Sequence, residues 1–234
     1  MFEKGWVRLS ERVRGKSEAS RADGVMPLPE AIEPFAKSIS AELWSEAAAF
    51  AQNLRGRAAS SLAALPVKLG GGGRYDLLYF LSRFLRPRVV VETGVAAGYS
   101  TQAILKAIQV NGSGRLYSSD FPYFRLDRPE QYIGILVDDD LKANWELYVG
   151  GDAKNLKQIA AKIDRVDLIH YDSDKTYRGR RSALKLLEPL LSQNAVIVMD
   201  DIQDNSFFYD YVRAMPRPWR VFDGGGKVVG LIGL

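Results

Sequence analysis

Three aspartates of this 234-residue chain, Asp172, Asp200 and Asp201, stand at the ends of two apolar, β-branched runs, Val166–Tyr171 and Ala195–Met199. Were those runs adjacent strands of a parallel sheet, the carboxylates would converge and repel, so that some are protonated or a cation sits between them. A hard divalent ion is the simpler answer. All-oxygen ligands suit Mg²⁺, with Ca²⁺ or Mn²⁺ as substitutes, and a chain with no cysteine and one histidine disfavours zinc. An ion held by Asp172, Asp200 and Asp201 would lower the pKa of a coordinated hydroxyl and fix its oxygen for displacement chemistry. Lys175, three residues past Asp172, is placed to receive the proton, so Asp172 and Lys175 are the expected catalytic pair. The bland alternatives are that Asp172 is architectural, that Asp201 caps the next helix and that Lys175 is solvated. His170 shares its strand side with Asp172, and a satisfied core histidine outweighs a general base there. Arg178, Arg180 and Arg181 are expected in the solvated first turn of a helix, with binding of an anionic acceptor as the alternative.

A second cluster lies earlier in the chain. The run Val89–Val91 leads into Glu92-Thr93-Gly94-Val95-Ala96-Ala97-Gly98-Tyr99-Ser100, a glycine turn with a helix at once behind it. In an open α/β sheet ligands bind beyond the carboxyl ends of the strands, which makes this turn a candidate cradle. The dinucleotide fingerprint fails, because Ala96 and Tyr99 stand where its second and third glycines belong. Glu92 would repel a pyrophosphate and attract a cation, such as the ammonium and sulfonium of S-adenosylmethionine. Ser118-Ser119-Asp120 follows, with Asp120 26 residues after Gly94, a spacing that suits a carboxylate accepting from ribose hydroxyls. Gly151-Asp152-Ala153 opens another helix, where Asp152 caps the helix, accepts from an adenine amine, or does both. Against these readings stand a plain strand-to-helix turn at Gly94 and Gly98, a solvated Glu92 and a capping Asp120.

The elements needed to hold both clusters are legible as pattern. Between Leu28 and Leu62, Ile32, Phe35, Ile39, Leu43 and Leu54 recur at helical spacing and predict two or three helices. The tetraglycine Gly70 to Gly73 interrupts the pattern and predicts a mobile loop, with lid or linker as the alternatives. A helix is predicted over Tyr75–Phe84. Strands at Val89–Val91, Gly114–Ser118, Val166–Tyr171 and Ala195–Met199 alternate with helices at Ser100–Ile108, Leu156–Ile163 and Arg180–Leu191, the texture of βαβ units. Trp219–Phe222 and Val228–Ile232, separated by Asp223-Gly-Gly-Gly226, form a predicted hairpin. Residues Phe121 to Leu141, with Tyr123, Phe124, Arg125 and Tyr132, are an insertion after the second strand, suited to an acceptor wall, a lid, packing or oligomer contact.

The stretch from Glu92 to Ser100, Asp120, Asp172-Ser-Asp-Lys175 and Asp200-Asp201 resemble the motifs of class I methyltransferases, in particular the catechol O-methyltransferase-like and antibiotic-sugar O-methyltransferase branches. The resemblance covers Tyr75 to Leu234. It implies an α/β fold: a Rossmann-like seven-stranded, mostly parallel sheet ending in an antiparallel hairpin, helices on both faces, and here an N-terminal helical extension over residues 1–70 ahead of a donor-binding domain over residues 71–234. It further implies that Glu92, Gly94, Gly98 and Ser100 meet the methionine end of S-adenosylmethionine, Asp120 the ribose, and Asp152 with Ala153 the adenine. Mg²⁺ or another divalent ion falls to the strand-end aspartates. The N-terminal helices match no motif of that family.

Composition narrows the partners. With 47% hydrophobic residues the chain has material for a sizeable core, and no apolar run approaches the roughly 20 residues that span a bilayer. Met1 to Lys16 mixes Glu3 and Glu11 with basic residues and reads as neither signal peptide nor anchor, which predicts a cytoplasmic address and no membrane partner. The net charge of +4 is spread among acids rather than gathered into a stripe, so no nucleic acid is expected. The expected partner is a small hydroxylated acceptor, a sugar or a phenol, and the chain is either monomeric or a homo-oligomer. The competing functions are a metal-independent methyltransferase and an NAD-dependent or nucleotide-binding protein without methyl transfer.

Overall fold

The computed structural model describes residues 27–63, 65, 69, 73–121 and 128–234. The expectations for Met1 to Lys16, for Gly70 to Gly72 and for Tyr123 to Arg125 lie outside the described residues. Alternation of buried side chains along each strand builds a sheet with two cores. On one face Val90, Leu116, Leu168, Val196 and Val198 pack together; on the other, Val91, Tyr117, Ile169, Ile197 and Met199. A side-chain period of two on strands buried on both sides produces this division.

The strands are β1 (Val89–Thr93), β2 (Arg115–Asp120), β3 (Trp145–Val149), β4 (Val166–Tyr171), β5 (Leu191–Met199), β6 (Trp219–Asp223) and β7 (Val228–Ile232). They form one seven-stranded sheet in the order β3-β2-β1-β4-β5-β7-β6. The first five run parallel, while β7 pairs antiparallel with β5 and β6. The seven-stranded sheet with a C-terminal hairpin is therefore as the sequence predicts.

The helices are α1 (Ile32–Ala63), α2 (Tyr75–Leu85), α3 (Tyr99–Asn111), α4 (Asp152–Ala160), α5 (Tyr177–Leu187) and α6 (Phe207–Ala214). An extended residue, Ser40, breaks α1 into two helical pieces. Ile32, Ala36, Trp44 and Ala47 of α1 join α2 and α3 in the core on one face, and α4, α5 and α6 cover the other. No described helix is long and apolar enough to cross a membrane.

Boundaries moved where polar residues carry the ends of elements. The helix predicted over Leu156–Ile163 starts four residues earlier, at Asp152, because Gly151 takes φ 90° and turns the chain just before it. The helix predicted over Arg180–Leu191 is instead α5, opened by Thr176, whose hydroxyl accepts from the Gly179 amide at 3.0 Å. Its end is set by Pro189, in a 3₁₀ turn over Glu188–Leu190, so Leu191 already belongs to β5. Within the insertion, 3₁₀ turns occupy Pro129–Tyr132 and Asp139–Asn144.

Candidate active site

The strand register dictates which side chains meet. Glu92 on β1 is paired with Ser118 on β2 and with His170 on β4, and His170 with Val198 on β5. One step beyond that row, past the carboxyl ends of the strands, stand Asp172 and Asp200, with the Asp200 amide donating to the Tyr171 carbonyl at 3.0 Å. The donor-side and acidic clusters are thus neighbours on one edge of the sheet.

The glycine turn is shaped by close approach. Gly94 takes φ 83°, and a Cβ there would lie 2.6 Å from the Asp172 carbonyl oxygen, so only glycine lets β1 leave the sheet against the end of β4. Gly98, at φ 95°, precedes the first residue of α3. The insertion straps this turn from outside: the Gly134 amide donates to the Ala96 carbonyl at 2.9 Å and the Leu136 amide to the Ala97 carbonyl at 3.0 Å. Residues 134–136 are therefore a wall of the glycine turn.

Glu92 is fully buried and does not face outward. Its two oxygens accept from Ser100 Oγ at 2.6 Å, Thr101 Oγ1 at 2.7 Å and Ser118 Oγ at 2.8 Å, with His170 Nδ1 at 3.4 Å. Glu92 and Ser100, both expected at the methionine end of the donor, are hydrogen-bonded to one another, and the pair anchors the first turn of α3. Asp120, by contrast, reaches the turn: one oxygen accepts from the amides of Val95 at 3.1 Å and Ala96 at 2.8 Å. Burial lifts its carboxyl above the ordinary value against the pull of those amides and of Phe121. Asp152 accepts from Ser119 Oγ at 2.6 Å and from Ser173 Oγ, bridging the ends of β2 and β4, and burial raises it too. Ala153 is exposed on the first turn of α4. Asp120 and Asp152 thus stand at the carboxyl ends of neighbouring strands, each held by donors of the chain itself.

Past the ends of β4 and β5 the acidic residues have company the sequence did not disclose. Lys175 pairs with Asp172 and, at 3.0 Å, with Asp201; Lys227 pairs with Asp200 Oδ2 at 3.0 Å and stands 4.0 Å from Asp201. Lys227 went unnoticed although topology points to it: β7 is antiparallel to β5, so the residue before Val228 arrives beside the carboxyl end of β5. Asp201 adopts φ 54° and makes no side-chain cap to the turn that follows. Burial raises Asp172, with Lys175 opposing. The charge argument for an ion is therefore weakened, since two ammonium groups already offset three carboxylates.

Unpartnered atoms speak for an ion instead. Asp200 Oδ1 and His170 Nε2 are buried without a hydrogen-bond partner. Among the described residues, the group whose ligand atoms lie within 4.8 Å of one another is His170, Asp172 and Asp200, not the expected Asp172, Asp200 and Asp201. Such a donor set fits a divalent ion. Gly73 packs so tightly on Asp200 Oδ2 that a side chain there would displace the carboxylate.

Arg180 corrects an expectation. It is fully buried rather than solvated, because it lies one turn inside α5 on the face of Ala183, Leu184 and Leu187. Its Nη2 donates to the carbonyls of Asp200 at 3.0 Å and Asp201 at 2.7 Å, pinning the corner that carries both carboxylates. Two surface cavities, of about 560 and 650 Å³, share Ser192 and Gln193 and lie at the amino ends of the strands, away from this edge.

Residues 91–202 match a family described as a methyltransferase domain. No curated protein sequence matches the chain. Among solved structures, an O-methyltransferase from Bacillus cereus in complex with SAH is 18% identical over 94% of this chain and 97% of its own, with a TM-score of 0.56. An O-methyltransferase from Streptomyces achromogenes involved in tomaymycin synthesis, in complex with SAM, is 15% identical over 94% and 96%, TM-score 0.58. A methyltransferase from Geobacter sulfurreducens is 20% identical over 92% and 96%, TM-score 0.56. The chain shares the fold of these solved methyltransferases, and its residues 91–202 match the model of a methyltransferase domain.

Proposed function

We propose that this methyltransferase domain moves the methyl group of S-adenosylmethionine to a hydroxyl oxygen of a small acceptor, a sugar or a phenol, with help from a divalent ion. The observation that carries the reading is adjacency: Gly94, which shapes the donor turn, packs directly on the backbone of Asp172, the first residue of the acidic cluster. A donor over the glycine turn and an acceptor oxygen at the cluster would then be neighbours, as in-line displacement at carbon requires.

Asp120 holds the ribose hydroxyls, its carboxylate exchanging the Val95 and Ala96 amides for them, and Asp152 lies at the adenine side. Asp172 and Asp200, with Asp201 alongside, hold the ion, Mg²⁺ or another divalent cation, whose contribution when bound is to acidify and fix the acceptor hydroxyl. The proton passes to Lys175 Nζ at the lip of the same cluster, in the form of the enzyme whose lysine has first released its own proton to solvent. Arg180 keeps the Asp200-Asp201 corner rigid, and residues 134–136 support the glycine turn from behind.

One observation favours a second reading, transfer without metal: Lys175 and Lys227 neutralise the cluster from within the chain. Exhaustive chelation separates the two. Loss of transfer to hydroxylated acceptors after EDTA, restored by a divalent ion, is expected; full activity in the chelated enzyme would leave the lysine reading. Calorimetric titration with S-adenosylmethionine and with NAD tests the donor, and micromolar binding of NAD alone would overturn the assignment.

A further inference from the structure

His170 is the only histidine of the chain, fully buried in β4, and the reaction as described leaves it idle. Its two nitrogens face different surroundings. Nδ1 lies 3.4 Å from Glu92 Oε1, an oxygen that also accepts from Ser100. Nε2 is buried with no hydrogen-bond partner, as is Asp200 Oδ1, and a ring nitrogen of His170 lies within 4.8 Å of a carboxylate oxygen of Asp172 and of Asp200. Glu92, an acceptor held by three hydroxyls, favours the tautomer with the proton on Nδ1. In the neutral ring Nε2 then carries the lone pair. A carboxylate behind a histidine whose far nitrogen is free is the arrangement by which proteins orient a metal-ligating imidazole.

We propose that His170 Nε2 is a metal ligand, completing with Asp172 and Asp200 a one-nitrogen, two-carboxylate site that prefers a first-row transition ion such as Co²⁺ or Fe²⁺ over Mg²⁺ or Ca²⁺. The inference rests on the metal-assisted reading above and changes its ion. Mg²⁺ and Ca²⁺ take oxygen donors, whereas an imidazole nitrogen raises affinity for the borderline ions in the Irving–Williams order. Lys227 holds Asp200 Oδ2 and leaves Oδ1 without a partner, while Lys175 engages Asp172 through Oδ1. Ligation would also satisfy Nε2, otherwise an unpartnered polar atom in the fully buried interior of β4.

The test uses the full chain stripped of metal. Isothermal titration with Co²⁺ and with Mg²⁺ is expected to show Co²⁺ bound at least about 100-fold more tightly. Pulsed electron paramagnetic resonance of the Mn²⁺-loaded protein should show the ¹⁴N modulation of a coordinated imidazole. In His170→Gln that modulation should vanish and Co²⁺ affinity fall by at least about tenfold, with Mg²⁺ affinity changed little. Should His170→Gln fail to fold, the ¹⁴N signal of the wild-type protein decides alone, because no other imidazole exists in the chain. Binding of Mn²⁺ without nitrogen coupling overturns the proposal and leaves an all-oxygen ion in place. Failure of every ion to bind removes the metal-assisted reading as well.

Discussion

The ends of β1 and β5 each bury a carboxylate completely, and the two are satisfied to very different degrees. Glu92 accepts from three hydroxyls and has a histidine at its side, while Asp200 has one lysine on Oδ2 and nothing on Oδ1. A buried acceptor without a partner costs free energy, so the engaged oxygens of Glu92 stabilise the fold while Asp200 Oδ1 leaves a penalty that a bound group would relieve. Glu92 fixes the start of α3 and, through His170, the back of the acidic cluster. Asp200 keeps one buried oxygen without a partner. The difference teaches that acidity at a strand end does not by itself mark a ligand contact; the count of satisfied lone pairs does.

The sharpest way to break this comparison is Asp200→Asn, which keeps shape and removes charge. Turnover is expected to fall by about 10³-fold or more, the scale of losing a principal electrostatic group, with donor affinity unchanged within about threefold. An Asp200→Asn enzyme with near-normal kcat would move Asp200 into the framework class beside Glu92.

Glu92→Ala tests the other half. It strands Ser100, Thr101 and Ser118 without their acceptor and opens a cavity under α3, so equilibrium urea unfolding should show a loss of about 3 kcal/mol. The expected signature is a shifted midpoint with unchanged slope. Undiminished stability together with a large loss of donor affinity would instead restore Glu92 to the role of direct ligand contact that its position first suggested.

Asp120 lies between these extremes, since its partners are backbone amides of the turn rather than packed hydroxyls. Asp120→Ala should weaken S-adenosylmethionine binding more than about tenfold, the loss of charge-assisted hydrogen bonds, while costing little stability. Calorimetric titration reads the first and thermal unfolding the second; unchanged affinity would remove Asp120 from the donor site.

What the sequence disclosed follows a physical divide. The parallel strands, the glycine turn and the closing hairpin were legible because β-branched runs and glycines act locally, and the aspartates were legible because they end such runs. The partners were not. Nothing local in Arg178, Arg180 and Arg181 distinguishes the one that turns inward, since its burial is decided by where Thr176 starts the helix. Lys227 reaches Asp200 across the antiparallel β5–β7 pair, a contact between residues 27 apart. His170 was rightly placed in the buried strand, yet its free nitrogen depends on Glu92 and Ser118 standing beside it in register, which only the assembled sheet supplies.

A third carboxylate, away from the site, sets the lower end of the scale. Glu46 on α1 accepts from Tyr79 Oη at 2.7 Å and Arg83 Nε at 2.8 Å on α2, but its side chain is 36% exposed. The hydrogen bond from Arg83 is the main cause that holds its carboxyl below the ordinary 4.5. A folded-state value below the unfolded one means that the stabilisation is complete above 4.5 and is lost as the pH falls through the lower, folded value. Solvent screening keeps the contribution under about 1 kcal/mol. Glu46→Gln should therefore lower the unfolding free energy slightly at pH 7, and the gap to the wild-type protein should close as the pH is taken below 4.5. A gap of more than about 2 kcal/mol, or one that persists in acid, would mean that exposure fails to separate this carboxylate from Glu92, and that lone-pair count alone governs how much each is worth.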